Sequence, residues 1–151
     1  MKLGIATNSI FRFQLTNNIF NSLNRLSSED IDLDCYLFRE VFSPFPMQPN
    51  FSIMSLVDMW GFDGTVIATD IPSVDKLLGC PCPKRKLFYV WNLEWVFQGN
   101  PLIKNLERFY LNNEIQLIAR SKSHFDVISS VWKSPIGILE DFNYEQLRQF
   151  I

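Results

Sequence analysis

The chain predicts an α/β fold: a doubly wound parallel sheet of six strands, ordered 3-2-1-4-5-6, with helices on both faces. Three observations predict it. Strand-like and helix-like segments alternate six times along the sequence. The strands are short apolar runs without strict in–out alternation, which marks strands buried on both sides. The connections are short, and right-handed crossovers then select the doubly wound, Rossmann-like order. At 151 residues the chain reads as a single domain, 1–151, long enough to bury one core.

Lys2 to Thr7 is a short apolar strand that ends in Asn8 and Ser9. Gln14 to Ser27 follows with Leu15, Ile19, Leu23 and Leu26 at helical spacing. Asp32 to Val41 gives a second strand, and Pro44, Pro46 and Pro49 make the next stretch a loop. Ser52 to Trp60 places Ile53, Leu56, Val57 and Trp60 on one helical face. Thr65 to Thr69 is the third strand. Asp70 and Pro72 then look like a helix start, a carboxylate for the free first-turn amides and a proline with no amide to satisfy. Gly79 ends that helix.

Arg85 to Trp95 is the most informative stretch. Lys86 to Trp91 has strand length and composition, and it breaks at Asn92 into an aromatic segment carrying Glu94. Leu102 to Leu111 is the next helix and Ile115 to Ala119 the fifth strand, ending in Arg120-Ser121. Ser123 with Asp126 resembles a capping box for a helix over Phe125 to Trp132. Ile136 to Leu139 is the sixth strand. Asn143 with Gln146 fits a cap for a last helix, Tyr144 to Phe150.

Composition narrows the function. A hydrophobic share of 47%, with 14 Phe, suits a packed core that could also leave an apolar patch for a partner. Net charge is −2, and only Lys84, Arg85 and Lys86 cluster, so no nucleic-acid surface is expected. Cys35, Cys80 and Cys82 are an odd set without metal-ligand spacing, and no metal is expected. With no secretion signal and no apolar run of about 18 residues or more, reduced thiols point to a cytoplasmic protein without a membrane segment.

Ligands of open α/β sheets collect at the carboxyl ends of strands. There the sequence puts Asn8 and Ser9, the Pro44–Pro49 loop, Asp70, Trp91 leading into Asn92, Glu94 and Trp95, Ser121 with His124, and Glu140 with Asp141. With the order above, the first strand lies beside the Lys86 strand, which brings Asn8 and Ser9 near Trp91, Asn92 and Glu94. Glu94 has two readings: a general base with a pKa raised by its aromatic neighbours, or a structural cap or ion-pair partner. His124 is a proton shuttle or a helix-start residue. Asp70 is a helix cap or a catalyst. Arg12 pairs with a substrate anion or is solvated, and Trp91 and Trp95 stack on a ligand or fill the core. The first turn has no glycine-rich dinucleotide fingerprint, and there is no phosphate loop and no nucleophile elbow. A bound nicotinamide, triphosphate hydrolysis and serine hydrolysis are therefore not expected.

Several segments together resemble the N-terminal domain of GT-B-type glycosyltransferases over nearly the whole chain. They are the glycine-poor strand Lys2 to Ser9, Thr65–Asp70 before a proline-initiated helix, and Leu87–Trp95. To these add Leu117-Ile118-Ala119-Arg120-Ser121 with His124, and a last strand leading to Glu140 and Phe142. A similar aromatic flavour occurs in remote glycosyltransferase relatives encoded by large tailed bacteriophages. The resemblance implies an acceptor-side domain, with Asn8, Ser9, Asp70, Asn92, Glu94, Ser121 and His124 lining the cleft; Arg12, Trp91 and Trp95 join them as candidate substrate contacts from their place at the strand ends. Glu94 or His124 would deprotonate the acceptor hydroxyl. No cofactor is implied. The donor, a nucleotide sugar, is held mostly by a second domain in that family. The chain reaches Ile151 about where that domain would begin, so a partner chain or a homo-oligomer is expected to complete the site. A non-catalytic Rossmann-like binding or protein-interaction module is the alternative.

Overall fold

The structure, a computed structural model, describes residues 1–8, 13–40, 44–97 and 103–151. The predicted α/β architecture is present. Seven strands form one sheet: β1 (Lys2–Thr7), β2 (Asp34–Arg39), β3 (Ser52–Ser55), β4 (Thr65–Ala68), β5 (Arg85–Val90), β6 (Ile115–Ala119) and β7 (Gly137–Ile138). Their order is β3-β2-β1-β4-β5-β6-β7, and every pairing is parallel. The helices are α1 (Phe13–Glu29), α2 (Ile71–Gly79), α3 (Glu94–Phe97), α4 (Ile103–Tyr110), α5 (Lys122–Val131) and α6 (Tyr144–Leu147).

Each central strand feeds two cores. Leu87, Tyr89 and Trp91 pack with Leu3, Ile5 and Ile67 against Leu15, Ile19 and Leu23 of α1 and Leu147 of α6. Phe88 and Val90 pack with Ala6 and Val66 against Val74 of α2, Leu106 of α4 and Ile128 of α5. Burial on both sides is why these strands read as continuous apolar runs. Gly4 is required by close packing: a methyl group there would lie 2.5 Å from the Phe38 ring.

One element was misread from sequence, and it moves the others. Ser52–Ser55 is a strand, not the start of a helix, and Leu56–Gly61 is a 3-10 helix. The Ser55 side chain accepts the amide of Val57, while Asp58 Oδ2 accepts the amide of Ser55 at 2.9 Å. That reciprocal cap starts the helix at Leu56 and leaves Ile53 to pair with Leu37. Of the residues assigned to one helical face, Leu56 is buried, whereas Val57 and Trp60 are 68% and 57% exposed. The sheet therefore has seven strands instead of six. The Thr65 strand sits beside β1, and the Arg85 strand is one place further out. The reversal of strand order falls between β1 and β4.

Two helix starts differ in detail. Ser121, not Ser123, caps α5. Asn143 caps α6 by accepting the amides of Glu145 and Gln146. The Gln146 side chain accepts from the amide of Glu140 instead of closing the box.

Candidate functional site

At the β1/β4 junction, Asp70 caps α2. Its Oδ1 accepts the amide of Ser73 at 2.9 Å. Its Oδ2 accepts the amide of Asn8 at 2.8 Å and the hydroxyl of Thr7 at 3.2 Å. Both oxygens hold the end of β1 to the start of α2, which is cap geometry. Asn8 thus meets Asp70, and not the Trp91–Glu94 segment, because β4 separates β1 from β5. Ser9 and Arg12 lie outside the described residues.

Beyond β5 the chain turns at Asn92 and enters α3 at Glu94. The two tryptophans diverge there: Trp91 joins the core under α1 and α6, Trp95 the opposite core. Both are buried. Trp95 meets Tyr110 and Trp132 edge to face, with ring centroids 5.0 and 5.7 Å apart. Tyr110 stacks on Trp132 at 5.2 Å. Glu94 Oε2 accepts the Tyr110 hydroxyl at 2.7 Å, so this carboxylate closes the aromatic cluster.

On the other side, Arg120 follows β6 and lays its guanidinium 3.6 Å above the Trp91 ring. Its Nη2 and Nε donate to Asp141 Oδ1 at 3.0 and 3.3 Å. Asp141 and Phe142 both have positive φ, 46° and 60°. For a bulky side chain that conformation is strained. The turn is held because Phe142 is fully buried edge to face on Tyr89, at 5.2 Å, and its carbonyl accepts the Ser22 hydroxyl. Burial pushes the Tyr89 phenol well above its ordinary range, and its hydroxyl donates to the carbonyl of Leu139 at 2.9 Å.

Ser121 Oγ accepts the amide of His124 at 3.2 Å, which places His124 in the first turn of α5. The imidazole is half-buried, and its Nδ1 is buried without a hydrogen-bond partner. Burial pushes its pKa below the ordinary value; the Val90 backbone opposes that and the Arg120 charge adds to it. Burial therefore favours the neutral form of this imidazole. The half-exposed Asn92 amide makes no hydrogen bond to the described residues.

The carboxyl edge thus carries Asn92, Arg120, Ser121, His124 and Asp141 along β5, β6 and β7. Arg120 and Asp141 were visible only as residues following strands. The signal that pairs them is that β6 and β7 are neighbours and each is followed by a charge of opposite sign.

The amino edge is different. Lys86 donates to Glu114 at 2.9 Å and to the carbonyl of Leu78. Arg85 donates to Gln116 and to the carbonyl of Phe150. Two of the three clustered cations are therefore committed to the fold. Cys35 is buried, its thiol pushed up to about 11 by burial first and then by Asp30 and Asp34. Cys80 is also buried, and Cys82 is exposed. Among the described residues no group of three or more His, Cys, Asp or Glu side chains could hold a metal ion, and no helix is long and apolar enough to cross a membrane.

The fold and this edge define a parallel α/β domain with a polar carboxyl rim. No protein-family model matches the chain, and no curated protein or solved structure matches it.

Proposed function

We propose that this domain binds the acceptor in a glycosyl-transfer reaction, with the nucleotide sugar held by a second, donor-side domain or chain. The observation that carries the reading is His124. It is the chain's one histidine, it stands at the carboxyl edge, and burial together with Arg120 keeps it neutral. In the step proposed, an acceptor hydroxyl oxygen bonds to the anomeric carbon of the donor sugar. The bond from that carbon to the nucleoside diphosphate breaks, and the diphosphate leaves with the electron pair. The neutral His124 imidazole takes the hydroxyl proton. Glu94, the other candidate base, already accepts a hydrogen bond from Tyr110, so the role passes to His124. Unbridged thiols at Cys35, Cys80 and Cys82 suit a reducing compartment such as the cytoplasm.

The test is transfer from nucleotide sugars to a panel of neutral oligosaccharides, using protein purified from its own source. His124→Gln is expected to abolish transfer and Glu94→Gln to retain it. Full turnover by His124→Gln ends the base assignment.

A second reading, a binding or interaction module without catalysis, is favoured by one observation. Met54 on the edge strand β3 and Val57 and Trp60 on the 3-10 helix that follows it are large apolar side chains left exposed, as at a surface that meets a protein partner. Calorimetry showing no heat from either nucleotide sugars or oligosaccharides would favour it.

A further inference from the structure

Helix α5, which carries His124 in its first turn, is docked on the sheet by less than its neighbours use. Of its 10 residues, Ile128 alone is fully buried, and Phe125, Val127 and the following Trp132 are partly so. The 9-residue α2 buries Ser73, Val74 and Leu77, and α1 buries Leu15, Ile19, Phe20, Leu23 and Leu26. The polar side chains of α5 bond within the helix and its cap: Lys122 to Asp126, Ser123 to Ser121, and Ser130 to the carbonyl of Val127. Among the described residues, the one hydrogen-bonding approach to another element is that of His124 toward the Val90 backbone.

The buried polar atoms weaken the docking further. Nδ1 of His124, Oγ of Ser129 and Nε1 of Trp132, the residue that ends the helix, are buried without a hydrogen-bond partner. Taking a hydroxyl or a ring N–H out of water with no partner opposes burial, and folded proteins leave few such groups. His124, Ile128 and Trp132 are spaced by four and share one helix face. The docking face itself therefore carries two of the three. An element held by few buried apolar groups opens before the rest of the fold.

The flanks of α5 are tied more firmly. Arg120 is stacked on Trp91 and bonded to Asp141. Lys133 donates to the carbonyls of Asn112 and Ile115. Movement is thereby bounded to the segment between them.

We propose that α5 opens locally as a unit between Arg120 and Lys133 and so gates His124, which stands at the rim when the helix is docked and is withdrawn when it lifts. The gating rests on the acceptor reading above; the opening does not. A ligand that bonds His124 binds the docked form alone and shifts the balance toward it.

The test is native-state amide hydrogen exchange, read by nuclear magnetic resonance on the full chain labelled with ¹⁵N. The amides of Ile128, Ser129 and Ser130 are expected to share one opening free energy, with protection roughly tenfold or more below that of Phe20, Leu23 and Leu26 in α1. Equal protection in the two helices would overturn the proposal. Two alanine variants isolate the cause. Ser129→Ala removes a buried, unpaired hydroxyl, and Ser130→Ala an exposed one bonded to its own helix. Both gain the same helix propensity, so Ser129→Ala is expected to slow α5 exchange about tenfold beyond Ser130→Ala. Equal slowing would overturn the unpaired hydroxyl as a cause of opening. Neutral di- and trisaccharides are then titrated, with the Asn92 side-chain amide reporting the rim. A saccharide that shifts Asn92 is expected to slow α5 exchange as saturation rises. Shifted Asn92 with unchanged α5 exchange would overturn the gating and leave the opening standing. A silent Asn92 across the panel would overturn the acceptor reading and the gating with it, while exchange in the free protein still decides the opening.

Discussion

The two sides of the β5 exit are built from the same residue types and differ in what is left over. On one side Trp95, Tyr110 and Trp132 close into an aromatic cluster, and the Glu94 carboxylate is engaged by Tyr110. On the other, Trp91 is also buried, but its ring supports Arg120, whose partner Asp141 keeps one oxygen open. A tryptophan and a carboxylate at a strand end are therefore not a site by themselves. One side keeps open hydrogen-bonding groups at the rim; the other packs ring on ring, with Trp132 Nε1 buried and unpartnered among the described residues. At the amino edge, Arg85 and Lys86 are committed to neighbouring groups.

The comparison can be broken most forcefully at Trp95. Trp95→Ala is expected to cost about 3–5 kcal/mol of stability, the range for emptying an aromatic core position; a urea midpoint near that of the wild type would mean the cluster is not scaffold. Asp70→Ala should cost about 2 kcal/mol, because it removes a helix cap and the tie to the end of β1. The same denaturation experiment reads it, and saccharide binding by the folded variant should be unchanged. Tyr110→Phe is expected to cost about 1 kcal/mol and to leave transfer intact. A loss of transfer without a loss of stability would return Glu94 to the chemistry.

Arg120→Lys sharpens the other side. Lysine keeps the charge but not the planar stack on Trp91 or the fork toward Asp141. Stability should fall by no more than about 1 kcal/mol, while saccharide affinity drops clearly in calorimetry. The smallest effect is a pH dependence. The folded pKa of His124 lies below its unfolded value, so folding favours the neutral ring. That stabilisation is complete above the unfolded pKa of about 6.5 and is lost as pH falls toward the folded pKa. Urea midpoints of the wild type and His124→Gln should therefore converge or cross on acidification from about pH 7.5 to about pH 5.5. Parallel pH profiles would contradict the shift.

What could be read in the sequence was mostly local. The Asp70–Pro72 helix start was legible because the cap and the proline act within one turn. The parallel sheet was legible because doubly buried strands carry unbroken apolar runs. Ser52–Ser55 was not, because the apolar residues of a short edge strand and of the following 3-10 helix happen to fall at helical spacing. The Ser55–Asp58 cap alone divides them. That one strand shifted Thr65–Ala68 next to β1 and separated Asn8 from Trp91. Nor could spacing show that Trp91 and Trp95 face opposite cores, since the chain changes from strand to helix between them. The Arg120–Asp141 pair joins the ends of two strands, and its geometry depends on positive φ at two non-glycine residues, which composition does not announce.

The central claim is that ligand meets the carboxyl edge at His124, in the first turn of α5. A histidine-selective nuclear magnetic resonance titration tests it directly, because the chain has a single imidazole. The account predicts a pKa below about 6.5 in the free protein and a change in the His124 signal when a neutral oligosaccharide binds. An unshifted pKa, together with a His124 signal that stays fixed while a saccharide binds elsewhere, would contradict it.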